Sequence, residues 1–328
     1  MERKTLDTRA FWLTCPGSGE IRPERVTEPS ETEVRVRTLH SGISRGTETL
    51  VFQGRVPENQ WATMRAPFQD GDFPAPVKYG YLNVGVVEAG APDLIGKTVF
   101  CLYPHQTGYV VPRDAVTVVP DGVPAARAVL AGTVETAVNA VWDAHPQIGD
   151  RITVVGGGMV GSSVAAVLAG LPGTDVQLVD TDPGRESIAK SLNIGFAHPD
   201  HAATERDLVI HASATEQGLN RALELLATEG TVVELSWFGD RRIAVPLGEN
   251  FHSRRLTIRS SQVGGIAPSR RRSYAERLTV ALDLLKDPRF DALITGHDAF
   301  EDLPQVLPRL ADGTLPALCH VIDYQEAT

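Results

Sequence analysis

The sequence predicts an α/β protein in which a doubly wound parallel-sheet domain is inserted into a mainly β domain. Three observations predict it: a strand-rich first third, a middle in which short apolar runs alternate with helical segments, and a C-terminal stretch too small to bury a core alone. The chain has 328 residues, 42% of them apolar, with 22 prolines and 30 glycines spread along its length. That is material for two domains with full cores, patterned more evenly than a disordered chain.

From Arg9 to about Val119 short strands are broken by turns. Glu33 to Leu39 alternates charged and apolar residues, as a strand with one wet face does. Tyr81 to Glu88 and Lys97 to Leu102 are further strands, separated by turns containing Gly, Pro and Asp. At Ala125 the texture changes. A helix from about Ala126 to Ala144 leads through Pro146 and Gly149-Asp150 into the strand Ile152 to Val155, then glycines, then the apolar helix Met159 to Leu168. Strand Val176 to Val179, helix Arg185 to Leu192, strand Leu208 to His211, helix Gln217 to Leu226 and strand Gly230 to Leu235 follow. Short apolar strands separated by helices are what a parallel sheet covered on both faces requires. Leu256 to Arg259 is read as its last strand. Beyond Gly264 come a helix at Tyr274 to Leu285, the segment Phe290 to Thr295, a helix at Leu303 to Arg309 and a closing strand at Ala317 to Ile322. This last stretch is expected to return to the first domain. Residues 1–132 together with 264–328 then form the β-rich domain, and 133–263 the inserted one.

A net charge of -10 and a pI near 5.4 disfavour a nucleic-acid partner. The one basic knot, Arg270 to Arg272, reads as solvated surface. Met1 to Arg9 lacks the apolar segment of a signal peptide and no stretch is long enough to span a bilayer, so a cytoplasmic protein is expected. Cys15, Cys101 and Cys319 show no paired spacing, which fits a reducing compartment.

Gly156-Gly157-Gly158-Met159-Val160-Gly161 satisfies G-x-G-x-x-G between a strand and a helix, with Asp180 closing the next strand nineteen residues beyond Gly161. In that context Gly156 permits the tight turn, Gly158 lets the backbone reach a pyrophosphate, and Gly161 lets the helix lie close to the sheet. Met159 and Val160 open the helix at the phosphates. This is the pattern of a Rossmann unit binding a nicotinamide dinucleotide. Asp180 is positioned for the adenosine ribose hydroxyls, which favours NAD over NADP. Asp182 competes for that role or caps a helix before Pro183, and Arg185 stacks beside adenine or meets a 2'-phosphate. His211, ending the third strand, is placed on the adenosine side; His252 is unassigned. His198 and His201, three apart around Asp200, are not read as a metal site.

With the domains and glycines placed, the chain resembles the medium-chain dehydrogenase/reductase superfamily of zinc alcohol dehydrogenases and zinc-free quinone reductases. The stretches Ser41 to Glu48, Gly80 to Gly90, Gly149 to Gly161 and Ala292 to Thr295 carry the resemblance, which spans nearly the whole chain. It implies a GroES-like catalytic domain around the Rossmann domain. The Ser-Gly-Ile-Ser-x-Gly-Thr-Glu wording is more distantly similar to the branch containing the bacteriochlorophyllide-type dehydrogenases.

The departures from that superfamily bear on mechanism. Where zinc relatives carry their first metal cysteine, this chain has Ser44 or, with the insertion placed differently, Arg45. The Gly-His-Glu segment is Gly80-Tyr81-Leu82, and the second metal cysteine falls at Ala131. Such side chains do not make a three-ligand zinc site, and three cysteines cannot supply the four-cysteine structural cluster. No zinc is therefore expected, and hydrogen-bond donors must stabilise the substrate oxygen instead. Tyr81 is the first candidate donor. Ser44 and Thr47 match the superfamily's hydroxyl relay, although such residues also serve as caps. Lys78 is a candidate to lower the Tyr81 pKa or to act as donor itself, His105 to exchange a proton near neutrality, and Glu135 to orient Tyr81 or Arg45 or to form an ion pair. Arg45 is grouped with the cofactor contacts.

The resulting expectation is a zinc-independent, NAD(H)-dependent oxidoreductase acting on an alcohol or ketone. An NAD(P)H-dependent enone or quinone reductase is the alternative, and a non-catalytic redox sensor a second one. A homodimer joined near Leu256 to Arg259 is implied by the resemblance.

Overall fold

The computed structural model describes residues 4–267 and 270–324. Two compact units emerge, Met1–Gly132 with Ile294–Thr328, and Thr133–Leu293.

In the first unit, β1 (Thr5–Cys15) and β2 (Ser18–Thr27) form a long antiparallel hairpin. β3 (Glu33–Ser44) begins with the expected alternation, Val34, Val36 and Thr38 facing inward, and then runs on through four buried residues. α1 (Arg45–Phe52) follows without a loop. The strands β4 (Asp70–Gly71), β5 (Val77–Lys78), β6 (Asn83–Gly90), β7 (Thr98–Cys101), β8 (Gly108–Pro112) and β9 (Val116–Val118) lead to the short helix α2 (Ala125–Ala128). β6 starts at Asn83 rather than Tyr81, because Gly80 takes φ +127° and leaves Tyr81 in the approach to the strand.

The single helix expected over 126–144 is interrupted by a turn at the fully buried Val129 and Leu130, after which α3 (Ala131–Ala144) begins. In the second unit come β10 (Arg151–Val155), α4 (Met159–Ala169), β11 (Asp175–Val179), α5 (Arg185–Ser191), β12 (Gly195–Ala197), β13 (Arg206–His211), α6 (Glu216–Leu225), β14 (Leu226–Glu234), β15 (Thr257–Ser260) and α7 (Tyr274–Leu284). The strands stack in the order β12-β11-β10-β13-β14-β15, every pair parallel. Their apolar runs are covered on both faces: Val155, Val179, Val209 and Val232 pack with Leu219, Ala222 and Leu223 of α6 on one side, and α4 is buried almost throughout. Chain order reverses between β10 and β13, the switch point at whose C-terminal edge open parallel sheets bind ligands.

Segment 264–293 was expected with the β-rich domain, but it belongs to the second unit. The buried Arg277 of α7 donates to Glu135 (3.0 Å) and Asn139 (2.6 Å) of α3 and to the Val263 carbonyl (2.6 Å). The return to the first unit occurs at β16 (Ile294–Ala299), α8 (Leu303–Asp312) and β17 (Cys319–Asp323). β17 lies parallel to β16 and antiparallel to β3, giving the order β16-β17-β3-β6-β7-β9, with β8 also on β3.

Candidate functional site

The second unit builds the glycine loop at the C-terminal end of β10, and its three glycines serve different ends. Gly156 takes φ +108°, and a Cβ there would lie 2.6 Å from the Ser213 nitrogen. At Gly161 a Cβ would stand 1.9 Å from the Gly156 carbonyl oxygen, so only glycine lets α4 pack on the loop. Gly158, the residue before α4, is exposed, and a Cβ built on it meets nothing within 4 Å. The space above the first turn of α4 is thus open, and the unpaired N–H groups of that turn face it, as an anion such as a pyrophosphate requires. Met159 is buried and accepts a weak hydrogen bond at Sδ from Thr133 (3.6 Å), while Val160 is half-buried.

Asp180 follows β11. Its Oδ2 accepts from the Gly157 N–H (2.6 Å) and its Oδ1 from the Asp182 N–H (2.8 Å). The carboxylate therefore ties the glycine loop to the end of β11, a role that sequence spacing does not reveal, and its remaining lone pairs are available to ribose hydroxyls. Arg185 lays its aliphatic stem on Gly157 and ion-pairs with Asp182 at 3.2 Å. These residues fit the adenosine end of a nicotinamide dinucleotide.

His211 is fully buried, with Nδ1 2.6 Å from Glu234 and Nε2 2.7 Å from the Ser213 hydroxyl. Its ring faces neither solvent nor the open side of the loop directly; Ser213, absent from the sequence reading, stands between.

In the first unit four of the sequence candidates converge. The Tyr81 phenol is hydrogen-bonded to the Ser44 and Thr47 hydroxyls. Its pKa is pushed up to about 12, by burial first and the nearby Glu48 second, against those two hydrogen bonds. Glu48, in the first turn of α1, is itself buried: Oε1 accepts from the Ser44 N–H (2.7 Å) and Oε2 lies 2.8 Å from His105 Nε2. His105 Nδ1 continues to the Ser41 hydroxyl (2.7 Å), and Ser41 to the Tyr324 hydroxyl (2.9 Å). The imidazole lies against Gly80, where a Cβ would come within 2.9 Å of its ring. Ser41, Glu48 and Tyr324 were not singled out in the sequence. Glu48 lay inside a motif already quoted, whereas nothing in the spacing pointed to Tyr324, 283 residues from Ser41.

The other candidates have different partners. Lys78 is buried and bonds Gln106 (3.0 Å), with Glu24 and Asp70 each at 3.8 Å and the Trp12 ring beneath it. It braces the sheet β2-β1-β5-β4 and is not among the charges acting on Tyr81. Glu135 takes the ion-pair alternative, to Arg277. Burial raises its pKa, with the Arg277 guanidinium opposing. Arg45 is exposed at the start of α1.

The positions assigned to zinc ligands by resemblance carry Ser44, Tyr81 and Ala131, a set that does not fit a catalytic zinc. Among the described residues no group of three or more His, Cys, Asp and Glu side chains is arranged to hold a metal. No described helix is long and apolar enough to cross a membrane.

In sequence, no family model and no curated protein matches the chain. In structure it is similar to a short chain alcohol dehydrogenase (rspB) from Escherichia coli CFT073 complexed with NADH, at TM-score 0.78 and 17% identity over 97% of this chain and 99% of that one. It is likewise similar to L-idonate 5-dehydrogenase from E. coli K-12, at TM-score 0.82 and 14% identity over 98% and 100%. A third similar structure, described as a zinc-binding dehydrogenase from Sinorhizobium meliloti 1021 and bound to NADP, gives TM-score 0.77 and 15% identity over 97% and 99%. The chain has the alcohol-dehydrogenase fold, Rossmann-like unit included.

Proposed function

We propose that the chain is a zinc-independent oxidoreductase that uses NAD(H) to interconvert an alcohol and a ketone, with NADP the less favoured cofactor. The observation that carries this is the glycine loop, open above Gly158 and tied by Asp180 to the end of β11. The similar structures with bound NADH and NADP support a nicotinamide cofactor. When bound, that cofactor supplies or accepts the hydride.

The chain's own residues do the rest. The first-turn N–H groups of α4 hold the pyrophosphate, and Asp180 accepts hydrogen bonds from ribose hydroxyls. A 2'-phosphate would set its charge against the same carboxylate, with Arg185 beside it as a counter-charge. Tyr81 gives its proton to the oxygen on which negative charge develops. Ser44 and Thr47 hold the phenol in place. Both nitrogens of His105 are engaged, so it serves to fix Glu48, whose charge helps keep Tyr81 protonated.

Zinc independence rests on the side chains at the ligand positions. His105 and Glu48, residue types that can ligate a metal, are hydrogen-bonded to each other. A protonated phenol also serves an enolate, so reduction of an enone or quinone is the second reading.

Fluorescence titration with NADH tests the core of the proposal. Gly158→Val puts a branched side chain where the pyrophosphate approaches and should weaken NADH by a factor of about 10² or more; unchanged affinity removes the loop assignment. Turnover of ketones against enones and quinones separates the two enzymatic readings. NADH binding without turnover on either panel returns the chain to a redox sensor. One tightly held zinc per chain after dialysis would overturn the assignment of Ser44, Tyr81 and Ala131.

A further inference from the structure

At the switch point of the parallel sheet, beside the glycine loop, runs a hydrogen-bonded chain that the proposed function leaves unused. Glu234 ends β14 and His211 ends β13, side by side in register. Glu234 is held by the Ser236 N–H on Oε1 (2.7 Å) and approaches His211 Nδ1 with Oε2 (2.6 Å). His211 Nε2 meets the Ser213 hydroxyl at 2.7 Å, and Ser213 meets the Thr215 hydroxyl at 2.9 Å. Thr215 caps α6 by accepting from the Gly218 N–H at 3.0 Å. Gly218 makes room for all of this: a Cβ there would stand 2.1 Å from Ser213 Oγ and 2.9 Å from His211 Nε2.

The direction of each bond follows from which atoms carry hydrogens. A carboxylate only accepts, so His211 Nδ1 donates to Glu234, and in the neutral imidazole Nε2 is then the acceptor. Ser213 therefore donates inward to Nε2. With the Ser213 hydrogen committed there, Thr215 donates to Ser213 while accepting from Gly218. The Ser213 oxygen is left with one lone pair and no hydrogen to offer. It is half-buried, on the residue whose backbone nitrogen packs against Gly156 of the loop.

We propose that Ser213 is a ribose-recognition position for the bound dinucleotide, a hydrogen-bond acceptor of fixed polarity that takes a sugar hydroxyl and rejects a phosphate. The inference rests on the nucleotide reading of the loop and adds to Asp180 an acceptor on another strand end. Phosphate oxygens are excluded because Ser213 has no free donor and the Glu234 carboxylate stands behind it.

Calorimetric titration of the full chain with NADH and its monodeoxyribose analogues tests this. Ser213→Ala and Ser213→Cys, whose thiol is a poor acceptor, should each weaken NADH by about three- to tenfold. The loss should vanish for the one analogue lacking the recognised hydroxyl. Gly218→Ala, which displaces the Ser213 oxygen from outside, should give a loss with the same analogue dependence. Unchanged NADH affinity in both Ser213 variants, or an equal loss for every analogue, overturns the proposal while leaving the nucleotide reading standing. Absence of NADH binding to the unmodified chain overturns both.

Discussion

Asp180 carries a structural contact and a proposed ligand contact that a variant must separate. Its carboxylate holds the Gly157 N–H, and the proposed ribose contact falls on the same group, so Asp180→Ala should disturb the loop for either dinucleotide and remove the ribose contact for NADH alone. Losing a hydrogen bond to an ionised group is typically worth about 1.5–3 kcal/mol. NADH affinity should fall roughly ten- to a hundredfold, and the ratio of NADPH to NADH dissociation constants should fall by about tenfold or more. Paired titrations check both, and an unaltered ratio sinks the ribose role. Tyr81 supports a kinetic prediction. Tyr81→Phe should lower kcat for carbonyl reduction by about 10²-fold or more with NADH affinity unchanged. With the phenol's pKa raised to about 12, the proton stays in place across the ordinary range, so a pH–rate profile should show no loss traceable to Tyr81 below about pH 10. The glycine loop and Asp180 were legible because their spacing is local to one strand-turn-helix. The partners of Lys78 were not, because Glu24, Asp70 and Gln106 reach it from three other parts of the chain.

At the scale of elements, the second domain boundary turns on one buried side chain. Helical periodicity located α7, but periodicity does not say which unit a helix joins; Arg277, only 2% exposed, does, through Glu135 and Asn139. Burial raises the Glu135 pKa despite its guanidinium partner, so desolvation outweighs the attraction of the pair. The sign follows from linkage. An acid whose pKa is raised on folding contributes stability that is fully present below its unfolded pKa and lost as pH rises through the folded value. Glu135→Gln keeps an acceptor for Arg277 and removes the charge. Its melting temperature should match the wild type below the ordinary glutamate range, then gain on it as pH rises toward neutrality. A variant that instead falls behind at neutral pH would show the ion pair to be net stabilising. The interruption at Val129 and Leu130 escaped the sequence for a related reason, since two apolar residues fit a helix pattern as well as a turn.

At the scale of the whole molecule, alternating strands and helices disclosed the parallel sheet, and its ends bear on assembly. Among the described residues, β12 closes one end with three residues and β15 the other with four, Thr257–Ser260, paired to β14 alone. An unpaired edge offers N–H and C=O groups to another strand. We propose a dimer in which a second copy of β15 would satisfy them across a twofold axis, each edge meeting its own image. Sedimentation velocity at micromolar concentration should give a mass near twice 35.4 kDa, and a monomer removes the proposal. Salt supplies the sharper check. Each chain carries a net charge of -10, so two copies repel, and that repulsion is screened within about 8 Å at physiological ionic strength. Backbone pairing is far less sensitive to salt than contacts between charged side chains. Raising the ionic strength should therefore strengthen the dimer. Dissociation at high salt would mean that cross-copy ion pairs hold the molecules together, and the edge of β15 would no longer account for it.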